Sequence, residues 1–389
     1  MTVRVAVVAE YYPRAADPVL GVWAHRQALA ARDAGADVRV LVLHRPVPPR
    51  AALSRRDARA LVAPLRQPLR GELDGLRVDY VPFIAPPRAR SYGSWGAWAA
   101  PSLAIALRRL RREFAFELIH AHYAAPAGDA VRRAAGRVPA VVSAHGGDVL
   151  SVADASPAGA RAVRAGLVHA RVVLANSQGI ARRCRELGAR HSEVVHLGTD
   201  LPDVAERRGA TLVTVGHLVA RKRHGDVLRA IWLLRDSHPE IRYEIVGDGP
   251  ERDALERLAG GLGLDGRVRF RGQLAPAEAR AAAQAAGVFV LPSVAEAFGV
   301  AYVEAMAGGV PAIGCRGEPG PEEIAAAGGG LRLVAPADPE ALARELRALL
   351  DEPDWRRELG DAARATVEAS FTWEQCGRAT VAAYEAALR

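Results

Sequence analysis

The sequence predicts an α/β protein of two consecutive domains, each with a mostly parallel sheet. Three observations carry this. Short apolar runs bounded by turn residues recur along the chain, as buried parallel strands do. Stretches of helical apolar spacing separate them, so the crossovers are helical. A polar segment, 198–210, with Pro202 and Gly209, interrupts the alternation, which then restarts. At 389 residues the chain is also too long for one ordinary core.

The first domain, 1–200, opens with a strand over 3–9, a loop over 10–21 and a helix over 22–34 stopped by Gly35. A strand over 38–43 follows. This βαβ start lacks G-x-G-x-x-G, which removes the main support for a dinucleotide cofactor. Segment 44–75 is rich in Pro and Arg and is expected to be a mobile surface excursion. A strand over 76–83 and a helix over 95–112 with a basic outer face come next. Strands over 116–120 and 138–144 run into HAHY (120–123) and HGGD (145–148). Strands over 172–175 and 194–197 flank a helix over 178–186. In the second domain, 201–370, strands fall at 211–215, 242–246, 267–271, 287–291, 310–313 and 331–334. The tail over 371–388 reads as an amphipathic helix.

Composition is globular, and no apolar run approaches a membrane span or the core of a signal sequence. The three cysteines, Cys184, Cys315 and Cys376, are far apart and in no metal spacing, which fits a reduced cytoplasmic protein. The net charge of +8 is uneven: about +13 over residues 1–200 and about −5 over the remainder. Solvated arginines account for this. So does a first domain that meets an anionic membrane surface or a phosphate-bearing acceptor. Nucleic acid is disfavoured, because the arginines are scattered and no nucleic-acid-binding motif accompanies them.

Most of the chemistry is concentrated in LPSVAEAFGVAYVEAMAGGVPAIG, residues 291–314. Glu296 lies in a loop at the carboxyl end of a strand, and Glu304 lies one to two turns into the following helix. Open α/β sheets bind ligands at that edge, where free N–H groups favour anions. A cap and a solvated side chain would give the same spacing. Lys222 is the only lysine among 52 lysines and arginines. It sits in GHLVARKRHGD, just after the first strand of the second domain, and its compact ammonium suits a place where a planar guanidinium would not fit. His145 heads HGGD at a strand end, with Asp148 placed to orient its imidazole or cap the next helix. Gly247 and Gly249 of VGDGP suit a tight turn.

Together these motifs resemble the family 4 glycosyltransferases. The E-x-F-G wording with Glu304 and EAMAGGVPAI resembles that family's E-x7-E motif, the Lys222 loop resembles its donor loop, and GEPGPEEI (317–324) resembles its G-x-x-G-x-x-E-I element. The resemblance implies the GT-B fold: two Rossmann-like, doubly wound domains facing each other across a cleft. The first would bind acceptor and the second donor, with helix 371–389 crossing back onto the first. It implies a retaining hexosyltransferase that uses a UDP- or GDP-sugar and a hydroxyl acceptor. That acceptor would be a cell-surface polysaccharide, glycolipid or secondary-metabolite precursor, free or lipid-linked.

The resemblance gives His145, Glu296 and Lys222 the catalytic roles. It gives Arg221, Lys222, Gly247, Glu304, Glu323 and the Phe298–Gly299–Val300 amides the donor contacts. Gly21, Arg26 and His122 fall on the acceptor side. The loop departs from the family by carrying His217 where many members have arginine; either Arg221 supplies that charge from a shifted position, or diphosphate binding uses one cation fewer. No D-x-D occurs, so a metal-independent reaction without cofactor is expected. Two other classes fit part of the pattern: a nucleotide-sugar 2-epimerase, which would turn over donor without acceptor, and a non-catalytic sugar-nucleotide binder. A phosphorylase is disfavoured because its pyridoxal cofactor needs a late lysine.

Overall fold

A computed structural model describes residues 2–47, 62–203 and 208–389. The chain divides into two compact units, one of residues 1–197 with 373–389, the other of residues 198–372.

The first unit is built on β1 (Arg4–Ala9), β2 (Asp37–His44), β3 (Arg70–Leu73), β4 (Leu76–Pro82), β5 (Leu118–His122), β6 (Ala140–Ala144), β7 (Val172–Ala175) and β8 (Ser192–Val194). The sheet order is β3-β4-β2-β1-β5-β6-β7-β8, parallel except for the β3–β4 pair. Val5 to Ala9 are all buried, because helices cover both faces of a parallel sheet. The strand order reverses at β1, which has β2 on one side and β5 on the other. Ligands of open α/β sheets bind outside the strand ends at such a point.

The C-terminal helix, Trp373–Leu388, packs on helix Val22–Asp33 of the same unit. Approach is close: a Cβ on Gly377 would lie 2.2 Å from the Ala30 carbonyl oxygen. The Tyr384 hydroxyl bonds His120 Nδ1 at 2.7 Å, and Gln27 donates to the Thr380 hydroxyl at 3.1 Å.

The second unit carries β9 (Arg208–Val215), β10 (Arg242–Val246), β11 (Val268–Gly272), β12 (Ala286–Val290), β13 (Ala312–Cys315) and β14 (Leu331–Val334), all parallel in the order β11-β10-β9-β12-β13-β14. The reversal here lies between β9 and β12. Its core joins Leu212, Ile245, Val288 and Ile313 to helix residues such as Ile231 and Leu346.

Five strand expectations move by two residues or more: the strand expected over 138–144 starts at Ala140, the one expected over 211–215 starts at Arg208, inside the segment read as polar, and three others shift for a local reason. The strand expected over 116–120 spans Leu118–His122, since pairing with β1 begins at Leu118, while Phe114 and Phe116 are buried before it. The strand expected over 310–313 spans Ala312–Cys315, because Pro311 has no N–H to give the ladder and pairing with β12 begins at Ala312. The strand expected over 194–197 spans Ser192–Val194. The last ladder bond runs from Val195 N–H to Ala175, after which the chain leaves the sheet. Of segment 44–75, residues 48–61 lie outside the described residues. The rest is not wholly an excursion, since β3 is an ordered edge strand. No described helix is long and apolar enough to cross a membrane.

Gly377→Ala should force helices Val22–Asp33 and Trp373–Leu388 apart. The expected cost is about 1–3 kcal/mol, typical of an overpacked contact. It would be read as a lower urea midpoint for the first unfolding transition. An unchanged midpoint would mean that the C-terminal helix is not docked this way.

Candidate active site

In the second unit the loops that follow β9 and β12 meet at the reversal of strand order. The backbone joins them: Val294 N–H donates to the Arg221 carbonyl at 2.8 Å. Lys222 stands on the first loop and Glu296 on the second, and Lys222 Nζ donates to Glu296 Oε2 at 2.5 Å. Both side chains are nearly enclosed, about 11% and 10% exposed. The Ser293 hydroxyl donates to the same oxygen at 2.7 Å, and Arg221 Nη1 lies 3.7 Å from it.

Burial pushes the Glu296 carboxyl up. The Lys222 ammonium, the hydrogen bonds from Lys222 and Ser293, and Arg221 more than offset this, leaving it below the ordinary carboxylate value. The Glu296 side chain is therefore a carboxylate at neutral pH, with the Lys222 Nζ against it. The Glu296 N–H is held in turn by the Glu318 carboxylate at 2.8 Å.

The backbone of both loops is strained beside the charged pair. Arg223, directly after Lys222, has φ +55°, and Ala295, directly before Glu296, has φ +53°. Non-glycine residues in this region cost of order 1 kcal/mol each. Gly299, φ +89°, is the N-cap of helix Val300–Ala307. The Phe298, Gly299 and Val300 amides thus open a helix, the end that favours anions. Phe298 itself is buried, its ring edge-on to Phe371 at 5.6 Å.

Gly247 sits where a Cβ would lie 2.0 Å from the Gly216 carbonyl oxygen, so only glycine lets the β10 turn close on the β9 loop. Glu304 is half-buried on helix Val300–Ala307, its carbonyl accepting from Gln284 at 3.2 Å. Glu323 is half-buried on helix Pro319–Ala327. His217 is exposed.

In the first unit, His145 follows β6. Its Nε2 bonds His122 Nδ1 at 3.0 Å, the two rings stack at 5.2 Å, and Tyr123 stacks on it at 5.4 Å. His122 is 1% exposed, so it sits beneath His145. Burial lowers His145 to about 3 and lowers His122 well below its ordinary value. Both are neutral imidazoles at working pH. Asp148 turns to the backbone, accepting from Ala124 N–H at 2.8 Å and His145 N–H at 3.2 Å; it does not touch the imidazole. Gly21 has φ +66° and touches the Tyr11 backbone so closely that a Cβ would lie 2.2 Å from the Tyr11 carbonyl carbon. The Arg26 guanidinium lies 5.4 Å from the centre of the Trp373 ring.

Sequence reasoning missed Ser293 and Glu318, which fix Glu296. It also missed Glu10, Arg88 and Tyr92, which line a cavity in the first unit. Glu10 directly follows β1, and that position at a strand end was the one available signal. Among the described residues, no three His, Cys, Asp or Glu side chains form a group able to hold a metal.

The family described as Glycosyltransferase Family 4 matches residues 20–202, and the family described as Glycosyl transferases group 1 matches residues 204–366. A D-inositol 3-phosphate glycosyltransferase of Streptomyces scabiei is 30% identical over 82% of this chain and 76% of its own length. A protein of the same name from Streptomyces coelicolor is 35% identical over 45% of this chain, and the match spans 40% of that relative. Sucrose-phosphate synthase from Thermosynechococcus elongatus superposes with TM-score 0.76 at 21% identity, covering 98% of both chains. Anabaena HepE in complex with UDP superposes with TM-score 0.71 at 20% identity, covering 99% of this chain and 100% of that one. The two Rossmann-like units thus have the GT-B fold, and the chain belongs to the family 4, group 1 glycosyltransferases.

Proposed function

We propose that the protein moves a hexose-type sugar from a UDP- or GDP-sugar to an acceptor hydroxyl, with retention at the anomeric carbon and without a metal. The observation that carries this is the Lys222–Glu296 pair at the second unit's reversal of strand order, beside the N-terminus of helix Val300–Ala307. It offers a point cation and amides for a diphosphate, and a carboxylate for sugar hydroxyls. One similar protein was solved with UDP and another solved form of it with UDP-glucose, and a relative from Corynebacterium glutamicum is named as GDP-mannose-dependent, which supports a nucleotide-sugar donor.

In this reading the acceptor hydroxyl attacks the anomeric carbon from the face the phosphate leaves. The carbon–phosphate oxygen bond breaks as the new glycosidic bond forms, and the departing phosphate oxygen takes the proton. Lys222, helped by Arg221 and the Phe298–Val300 amides, holds the charge that develops on the phosphate. Glu304 is assigned to the ribose, and Gly247 and Glu323 to the rest of the donor contacts. Glu296 orients the sugar, and His145 contributes as a neutral hydrogen-bonding ring. Gly21, Arg26 and His122 belong to the acceptor side, Gly21 and His122 by shaping its backbone and floor. The acceptor is a cell-surface polysaccharide or glycolipid precursor, and the basic first unit meets the inner face of the membrane peripherally.

The direct test is thermal stabilisation by UDP, GDP and ADP, each with magnesium and with EDTA. One nucleotide at 100 times its Kd should add about 2.7 kcal/mol of stability, equally in EDTA. No shift from any of the three would remove the donor-site reading, and a shift lost in EDTA would remove the metal-independent part.

Lys222→Ala and Glu296→Ala should each lower kcat/KM at least about 100-fold. Each also orphans a nearly buried charge, so the double variant should be more stable than the two single losses sum to. Wild-type turnover in either single variant would end its assignment. Because burial holds His145 near 3, its ring gains no proton between pH 5 and 9. The kcat/KM profile there should lack a limb near 6.5 that His145→Gln abolishes, and finding one would contradict the neutral-ring role.

A further inference from the structure

The first unit contains a cavity of about 1100 Å³ at the carboxyl ends of its central strands, lined among others by Glu10, Arg14, Arg45, Arg88, Tyr92 and Trp95. Its charge is one-sided, with three guanidinium groups against one carboxylate. The Arg88 guanidinium lies 4.0 Å from the Tyr92 ring centre and 4.0 Å from Glu10 Oε1. The Arg45 guanidinium lies over Trp95 at 5.1 Å. Its Nε donates to the Ala85 carbonyl at 2.9 Å, and its two terminal nitrogens bond no described residue. Arg14 Nη2 bonds the Glu10 and Leu43 carbonyls, while its Nε is buried with no partner among the described residues.

Glu10 is 7% exposed and accepts from the Tyr92 hydroxyl at 2.7 Å through one oxygen. Burial pushes its carboxyl up; Arg88, Tyr92 and Arg14 only partly offset this. Guanidinium forks match the paired oxygens of phosphate and carboxylate, whereas a neutral sugar would leave two of the three cations without a counter-charge. The aromatic rings supply flat apolar walls with hydroxyl rims, suited to a sugar ring.

We propose that this cavity binds an anionic sugar acceptor, a ring bearing a phosphate or carboxylate that Arg45 and Arg88 hold while Glu10 accepts from its hydroxyls. The assignment of the molecule as acceptor rests on the glycosyl-transfer reading above; the anion specificity does not. A membrane surface fits less well, because the cations are set in a cavity with a carboxylate in its wall.

The test titrates the full chain calorimetrically with glucose 6-phosphate, glucuronate and glucose. Arg45→Gln and Arg88→Gln are compared with wild type, and Kd for the nucleoside diphosphate is measured on each preparation. At least one anion should bind at least 10-fold tighter than glucose and lose 10-fold or more in each variant, with the nucleotide Kd unchanged. Preference for glucose 6-phosphate assigns a phosphate, and preference for glucuronate a carboxylate. Glucose binding as tightly as both anions, anions binding unchanged in both variants, or none of the three binding would overturn the proposal. Nucleotide binding without anion binding sinks this inference alone. Anion binding without nucleotide binding sinks the donor reading alone.

Discussion

The site of the second unit depends on one buried ion pair. Removing an ammonium and a carboxylate from water costs several kcal/mol each, and mutual attraction alone rarely repays it. Here the carboxylate oxygen is shared by Lys222 and Ser293, and the Glu296 N–H is fixed by Glu318. The same contacts hold two left-handed residues, Arg223 and Ala295, that an unsupported loop would relax. A well-packed apolar pair would serve stability as well. What the ion pair adds is two groups of opposite charge, fixed in place before a ligand arrives. A sugar phosphate brings hydroxyls for one and oxygens for the other, so ligand exchanges partners with the pair and does not have to create charge.

A second polar chain, in the first unit, does the opposite and stays neutral. His145 leans on His122. Beside them His120 is pinned by Tyr384 and Ser143, at 2.7 and 2.8 Å. Burial lowers His120 to about 3 as well. Three adjacent imidazoles cannot all charge in so dry a place; His122 is hydrogen-bonded to His145, and its ring centre lies 4.4 Å from that of His120. The C-terminal helix, more than two hundred residues away in sequence, thus fixes the His120 end of this row of rings. Asp148 holds the backbone of the same turn.

Much of this was legible in the sequence. The alternation of apolar runs and helical spacing gives both parallel sheets, because period and length alone separate those elements. Lys222 and Glu296 stand out by residue type and by place at strand ends. The rest was hidden for physical reasons. β3 is a short edge strand in an Arg- and Pro-rich stretch whose burial pattern is nearly all exposed, so no hydrophobic period marks it. Ser293 and Glu318 act through single hydrogen bonds on Glu296, and a bond carries no periodicity. The cavity joins residue 10 to residues 45, 88 and 92, a juxtaposition that exists only once β1, β2 and β4 are ordered in the sheet.

The positive charge of residues 1–200 likewise divides once the fold is known. Some arginines are tied to carboxylates, as Arg132 and Arg133 are to Asp129 and Arg77 is to Glu113. Others lie over aromatic rings, as Arg39 does over Phe114, Arg111 over Phe116 and Arg26 over Trp373. The summed charge still attracts anions from solution, over a range that physiological salt limits to about 8 Å. Selection among those anions needs fixed geometry, and in the first unit that is found where Arg14, Arg45 and Arg88 surround a cavity with a single buried carboxylate. Attraction is thus a property of the whole unit, and recognition a property of the few guanidinium groups that the sheet order brings together.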